Sequence, residues 1–249
     1  MMGIIYVLWL RQIKRYFRSR ARIVGSLGQP LLFLLSLGFG FGPVFQRAGQ
    51  GNYIQFLAPG VIAMTVLFSG IFNGIELIWD RQFGFLKETL VAPVPRVTIM
   101  IGRTLGGATT SVMQGLIVAI ACVLVGFRPN SVMAVVGGLV FMTLIAVMFT
   151  ALGTAIASVL SDFQGFQMVM NFLVMPIFFL SGALFPLMGL PRALDIIARV
   201  DPLSYGVDGL RSSMTGVSHF GLTTDLAVLS VLTVVLLMVG SRLFSKIQI

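Results

Sequence analysis

Five stretches of this chain contain no charged residue and are each long enough to cross a bilayer: residues 23–46, 48–75, 104–127, 129–161 and 163–191. A helix rises about 1.5 Å per residue, so roughly 20 apolar residues traverse a hydrocarbon core of about 30 Å. A sixth run, 226–241, is shorter and reaches across with Thr223, Thr224 and a snorkelling Arg242 at its ends. Runs of this length without strict alternation exclude barrel strands, which need only about 9–11 residues. Charged residues make up 10% of the chain, against about 25% in soluble domains. The predicted fold is an all-α integral membrane protein: one transmembrane domain over residues 1–249, with six spanning helices.

The charges that remain orient it. A net charge of +9 would point to nucleic acid in a soluble protein, but here the basic residues stand at the ends of apolar runs. They are therefore read as membrane orientation, with the lipid bilayer and not nucleic acid as the partner. With an even number of spans both termini share one side. That side carries twelve Lys/Arg, in residues 1–22, in 76–103 and after Ser241, whereas the other carries Arg47, Arg128, Arg192, Arg199 and Arg211. The positive-inside rule places both termini and the 76–103 stretch in the cytoplasm of a multi-pass protein of the cell (inner or plasma) membrane. Cys122 lies inside an apolar run and reads as a buried small hydrophobe; a single cysteine forms no intrachain disulfide.

Three segments depart from the plain pattern. Residues 4–22 carry Arg11, Arg15, Arg18 and Arg22 on one helical stripe and Ile5, Trp9, Ile13 and Tyr16 on another, which predicts an amphipathic interfacial helix on the inner surface. The apolar run that follows exceeds the roughly 7–15 residues of a signal-peptide core, so no cleaved signal is expected. Residues 76–103 gather three of the eight acidic and four of the seventeen basic residues, and Glu76 there is expected to pair with Arg81 or Arg103. Within that stretch Phe83, Leu86 and Leu90 recur at i, i+3, i+7 as an apolar stripe, and Pro93 and Pro95 end the helix. Residues 184–219 are too long for a turn. A short helix with Leu194, Ile197 and Val200 on one stripe is followed by Asp201-Pro202 and a second helical stretch over 203–214, read as re-entrant helices before the last span. Three G-x-x-x-G spacings, Gly38/Gly42, Gly70/Gly74 and Gly102/Gly106, indicate close helix packing.

The sequence carries no H-E-x-x-H, no G-x-S-x-G and no Cys/His metal spacing, and its one histidine, His219, reads as a loop residue. No lysine follows the glycine-rich run of a P-loop, because Lys14, Lys87 and Lys246 follow Ile13, Leu86 and Ser245. The expectation is a non-enzymatic chain that binds no cofactor of its own, so ATP-driven transport would need a separate ATPase. Two other classes fit the same pattern: a non-translocating membrane anchor for an ATPase, and a proton-coupled carrier working through Glu76.

Two segments resemble a known family. Leu86-Lys87-Glu88-Thr89-Leu90-Val91-Ala92-Pro93-Val94-Pro95-Arg96 is similar to the "E-x-L-x-x-x-P-V-x-R" loop of type-2 ABC exporter permeases. Phe179-Leu180-Ser181-Gly182-Ala183-Leu184-Phe185-Pro186, then Leu190-Pro191, then Asp201-Pro202-Leu203-Ser204-Tyr205-Gly206-Val207-Asp208-Gly209-Leu210-Arg211 resembles its "F-L-S-G-x-x-F-P … L-P … N-P-L-x-Y-x-x-D-x-x-R" pattern, with Asp201 in place of the usual Asn. The likeness is strongest to the daunorubicin-resistance permease group. It implies a transmembrane subunit that pairs with a second permease, a second copy or a related chain, and with ATP-binding cassette subunits that hold ATP and Mg. It further implies a coupling helix over 81–92, and assigns to ATPase coupling Arg81, Phe83, Phe85, Leu86, Lys87, Glu88, Thr89, Leu90 and Pro93. An outer gate over 186–214 would use Pro186, Pro191, Pro202, Tyr205, Asp208 and Arg211. Aromatic and amide residues of the second and fifth spans, Phe68, Phe72, Asn73, Asn171, Phe178 and Phe179, are the candidate pathway for a drug, lipid or lipid-linked glycan.

Overall fold

The computed structural model describes residues 2–49, 51–86, 94–160 and 162–247. Eleven α-helices follow in order among them: α1 Met2–Arg18, α2 Arg20–Arg47, α3 Tyr53–Phe72, α4 Ile75–Gln82, α5 Arg96–Val125, α6 Val132–Val159, α7 Phe163–Val169, α8 Met175–Leu180, α9 Arg192–Val200, α10 Pro202–Thr215 and α11 Leu222–Ser245. Six rods are long and apolar enough to cross a bilayer: Ile23–Arg47, Tyr53–Gln82, Arg96–Val125, Val132–Val159, Phe163–Leu180 and Leu222–Ser245. The all-α membrane fold with six spans is therefore the observed one.

The boundaries differ from the uncharged runs in an instructive way. The second span continues past residue 75 to Gln82, and the third begins at Arg96, so Glu76, Asp80, Arg81 and Arg103 are helical residues and not parts of a loop. The fifth span stops at Leu180 instead of 191, because Ser181 to Gly189 run as turns. Pro176 explains an irregularity inside that span: it lacks an N–H and crowds the carbonyl four residues back, and the helix widens into a π-turn at Met170–Val174. The last span, α11, has 24 residues and takes in Thr223, Thr224 and Arg242, the residues expected to lengthen the short uncharged run.

The fourth span, α6, is the hub, packing against α3, α5, α10 and α11. Glycine makes the closest approach possible. A Cβ at Gly74 would stand 2.3 Å from Gly153 O, and one at Gly153 would stand 2.5 Å from Ile71 O, so the second and fourth spans meet backbone to backbone. Gly60 abuts Ala183 O in the same way at 2.2 Å. Of the three G-x-x-x-G pairs, Gly70/Gly74 serves this contact. Gly102/Gly106 receives Leu8 and Gln12 of α1, whereas Gly42 faces open space. The amphipathic helix thus packs along the start of the third span, where Trp9 Nε1 also donates to Thr109 Oγ1 at 3.0 Å. Tyr6, Val7 and Phe17 remain outward for lipid.

Gly74→Ala should lower the melting temperature in detergent, because one methyl group forces two backbones apart at a cost of roughly 1–3 kcal/mol. Gly42→Ala, with nothing within 4 Å, should leave it unchanged or slightly raised. Equal melting of the two variants would remove the glycine contact from this account.

Candidate functional site: an amide-lined cavity and the charge cluster beside it

A cavity of about 530 Å³ opens between the first, second and third spans. The first span contributes Ser26, Gln29 and Pro30; the second contributes Thr65, Phe68, Ser69, Phe72, Glu76 and Trp79; the third contributes Gln114, and Phe163 closes one side. Aromatic faces and a few hydrogen-bonding groups share one wall, a mixture suited to an amphipathic molecule.

The predicted pathway residues divide. Phe68 and Phe72 line the cavity, stacked with ring centroids 6.5 Å apart. Asn73 does not. Its Nδ2 donates to Gly107 O at 2.9 Å and Ser111 Oγ at 3.2 Å, which fastens the second span to the third. Phe178 is 1% exposed and packs edge-on to Phe33 and Phe68 behind the wall. Phe179 is half-exposed, and Asn171 lies on the exposed side of the π-turn; neither faces the cavity. Sequence reasoning missed Gln29 and Gln114, each a lone amide in an apolar run, because nothing in the pattern distinguishes them from interface glue.

Glu76 belongs to both the cavity and a buried ionic cluster. It is 3% exposed, and among the described residues it pairs with Arg15 of α1, Nη1 to Oε2 at 3.7 Å, and not with the expected Arg81 or Arg103. Arg81 donates instead to Leu160 O at 3.4 Å. Arg103 pairs with Asp80, both nearly excluded from solvent, and Arg11 and Arg15 approach the other Asp80 oxygen at 3.3 and 3.6 Å. Carboxylates at 76 and 80 and arginines at 11 and 15 share an i, i+4 spacing, so two helices can face each other with matched charge. That complementarity was the available signal. The Arg22 side chain and residues Lys87, Glu88, Thr89, Leu90 and Pro93 lie outside the described residues. Phe83 and Phe85 are exposed at 77% and 54% whereas Leu86 is buried, and the positive φ of Gly84 separates Phe83 from the residues after it. Arg11 stands 5.4 Å over the Phe85 ring. Phe83 and Phe85, with Lys14 and Arg18 of α1, line a groove of about 740 Å³ at this end.

The opposite end is closed by α9 and α10. Pro191 precedes α9, Pro202 opens α10, and the Asp201 side chain caps α10 by accepting from Leu203 N at 2.9 Å. Tyr205 Oη donates to Arg199 O at 2.7 Å, bracing one helix on the other. The Asp208 carboxylate accepts from His219 N and Phe220 N at 2.9 and 2.7 Å, and Arg211 Nη2 donates to Gly182 O at 3.0 Å. Of the residues expected at an outer gate, Pro186, Asp208 and Arg211 line one hollow of about 520 Å³, whereas Pro191, Pro202 and Tyr205 do not line it. Asp225 is fully buried beside the Asp208 carboxylate, and among the described residues no N–H or hydroxyl donor reaches either of its oxygens. Among the described residues no group of three metal-ligating side chains gathers.

The family model described as ABC-2 type transporter matches residues 4–215. The chain belongs to the ABC-2 type transporter family. Nodulation protein J of Rhizobium leguminosarum bv. viciae is 27% identical over 242 residues, covering 96% of this chain and 93% of that protein. The inner membrane transport permease YadH of Escherichia coli K12 is 28% identical over 230 residues, covering 91% and 89%. The ycf38 protein of Cyanophora paradoxa is 27% identical over 261 residues, covering 98% and 88%. This chain is accordingly a multi-pass ABC-2 permease, the transmembrane subunit of a transporter.

Two outcomes test the electrostatics of this ABC-2 permease. Asp80→Asn leaves the Arg103 guanidinium, 6% exposed, without its counter-charge, and should destabilise by roughly 3–5 kcal/mol. Asp80→Leu with Arg103→Met should recover most of that in the same thermal melt.

Asp201 tests the other end. Burial pushes its carboxyl up to about 7, against the opposing hydrogen bonds of Leu203 and Ser204. Between the unfolded value near 4 and about 7 the folded state keeps a proton that the unfolded chain has lost, so stability falls as pH rises through that window. Asp201→Asn keeps the cap and removes the titration. It should melt higher than wild type at pH 8, by an amount on the order of 2–4 kcal/mol, with the gap closing towards pH 4.

Proposed function

We propose that this ABC-2 permease is half of the membrane pathway of an ATP-driven exporter for a hydrophobic or amphipathic molecule, a drug, a lipid or a lipid-linked glycan. The observation that carries the reading is the cavity between the first three spans, where Phe68 and Phe72 share a wall with Gln29 and Gln114. Apolar surface there accommodates a hydrocarbon or aromatic body, and the amides orient a polar head. Among the described residues Glu76 is the one carboxylate lining it, and that group is engaged by Arg15.

Energy then comes from a separate ATP-binding cassette subunit that holds ATP and Mg, a reading in keeping with the lack of a P-loop in this sequence. Both termini lie in the cytoplasm under the positive-inside rule. The ATPase docks at their end, on the groove lined by Phe83, Phe85 and the basic face of α1, with residues 81–92 as the coupling segment. Glu76 joins cavity to coupling region: it lines the first and pairs with α1, which borders the second. A push on α1 therefore acts on the wall of the cavity. A second permease, an identical or related chain, completes the pathway, and α9 and α10 close its outer end.

Membrane vesicles containing the permease and its ATPase should accumulate a fluorescent amphiphile with ATP and not with a non-hydrolysable analogue, and a protonophore should have no effect. Phe72→Ala combined with Gln114→Leu should cut the transport rate about tenfold or more while the ATPase still co-purifies, as expected from losing both apolar and polar contacts to the cargo. ATPase binding without any uptake would assign the chain to an anchor, and collapse with the proton gradient would assign it to a carrier.

A further inference from the structure

The end of the bundle remote from the termini contains a second hollow, of about 520 Å³, lined in part by α10 and separate from the cavity proposed to hold the cargo. Four separate turns ring it: the one joining the first two spans, the one joining the third and fourth, the segment after the fifth, and the loop after α10. Arg211 of α10 reaches into it although the residue is only 7% exposed.

That guanidinium is held rigidly and incompletely. One nitrogen, Nη2, donates to Gly182 O at 3.0 Å and Phe56 O at 3.3 Å, and the guanidinium carbon lies 4.0 Å over the Phe56 ring. Nε has no acceptor at all. Asp208, one turn earlier on α10, is the natural counter-ion, but its oxygens accept from Ser218 Oγ, His219 N and Phe220 N. Nε is shielded from the hollow as well, so the donors left for a ligand are the other N–H groups of the Arg211 fork, which lines the hollow. The lining carries two arginines, Arg211 and Arg128, against one aspartate, so the oxygen it favours is anionic. Phe45, Leu187 and Met188 line the same hollow, which gives a hydrocarbon a place beside the charge.

We propose that this hollow is a binding site for the singly charged anionic headgroup of an amphiphile, a phosphodiester or a carboxylate, with Arg211 as the anchoring donor. The guanidinium is already fixed by two carbonyls and a ring, so binding demands little reorganisation of the donor. The site stands apart from the cavity between the first three spans and does not depend on whether the chain transports anything. Two sources supply such a headgroup, an outer-leaflet phospholipid and an exported amphiphile.

The test uses the full chain in a neutral maltoside detergent, titrated with dioctanoyl phosphatidylglycerol, decanoate and, as an uncharged reference, dioctanoylglycerol, with binding read by calorimetry and native mass spectrometry. Saturable binding of phosphatidylglycerol or decanoate, at least about tenfold tighter than the glycerol reference, is expected; a tenfold ratio corresponds to about 1.4 kcal/mol. Preference for phosphatidylglycerol assigns the site to bilayer lipid, and preference for decanoate assigns it to a single-chain cargo. Asn130→Asp adds a carboxylate to the exposed rim of the hollow without touching the bonds of Arg211, and it should weaken the anionic ligands about tenfold while leaving the melting temperature in place. Arg211→Lys, which keeps the charge but loses the planar fork, should weaken them as well. Binding that is unchanged by Asn130→Asp but lost in Lys14→Gln/Arg18→Gln would place the anion at the other end and overturn the proposal, as would no preference over dioctanoylglycerol.

Discussion

Two carboxylates one turn apart, Glu76 and Asp80, end a helix that is otherwise built to cross a bilayer, and the assembly of that end of the molecule follows from them. A buried carboxylate stays charged only when it is paired or hydrogen-bonded. Arg103 comes from the third span and Arg11 and Arg15 from α1, so satisfying two acids draws three helices together. The amphipathic helix is consequently part of the bundle. Gly102 and Gly106 give it a smooth face to lie against, and Trp9 adds a hydrogen bond to the third span.

The six spans were legible because a bilayer imposes a length and a composition that no other constraint imitates. Their ends were not, and the reason is specific. An ionic residue in a linear reading marks an edge, whereas in the structure Arg103 sits in the eighth position of its helix, silent to solvent because Asp80 faces it. The same blindness affected Asn73, read as a pathway amide because of its neighbours Phe68 and Phe72. Its amide in fact answers the carbonyl of Gly107 on the next span. By contrast, the helices α9 and α10 were legible to within a residue or two, because Pro191, Asp201 and Pro202 act through local backbone chemistry. The exposure of Ile197 and Val200 on α9 was not foreseeable, since a stripe of apolar residues does not say whether protein or lipid will cover it.

The two ends of the molecule treat buried charge differently. At the end with the termini, among the described residues, three arginines meet two carboxylates. At the far end, Asp208 is satisfied by main-chain and hydroxyl donors and Arg211 by main-chain acceptors, so opposite charges on one helix each take neutral partners. Burial pulls the Arg211 pKa down to about 10, with Asp208 and Tyr53 opposing the change. The group therefore keeps its charge throughout the physiological range. A fixed cation with neutral partners retains its attraction for an anion, which a guanidinium closed into an ion pair does not.

Packing also decides which walls can move. The second span is locked to the fourth where Gly74 and Gly153 meet, and the fourth holds the third, the sixth and α10. These elements can shift only as one body, because sliding backbones in direct contact would collide. The fifth span is held differently: it carries a π-turn and touches its neighbours sparsely, its firmest anchor being Phe178 against Phe33 and Phe68. The first span likewise rests mainly on the second and leaves Leu32, Phe39 and Val44 outward. Displacement therefore costs least in the first and fifth spans, and Phe33 to Phe178 to Phe68 is the contact through which a shift of either reaches the cavity. Phe68 is at once the end of that chain and a lining residue. A change in the packing of the peripheral helices thus alters the shape of the cavity directly, with the glycine-locked core as its fixed reference.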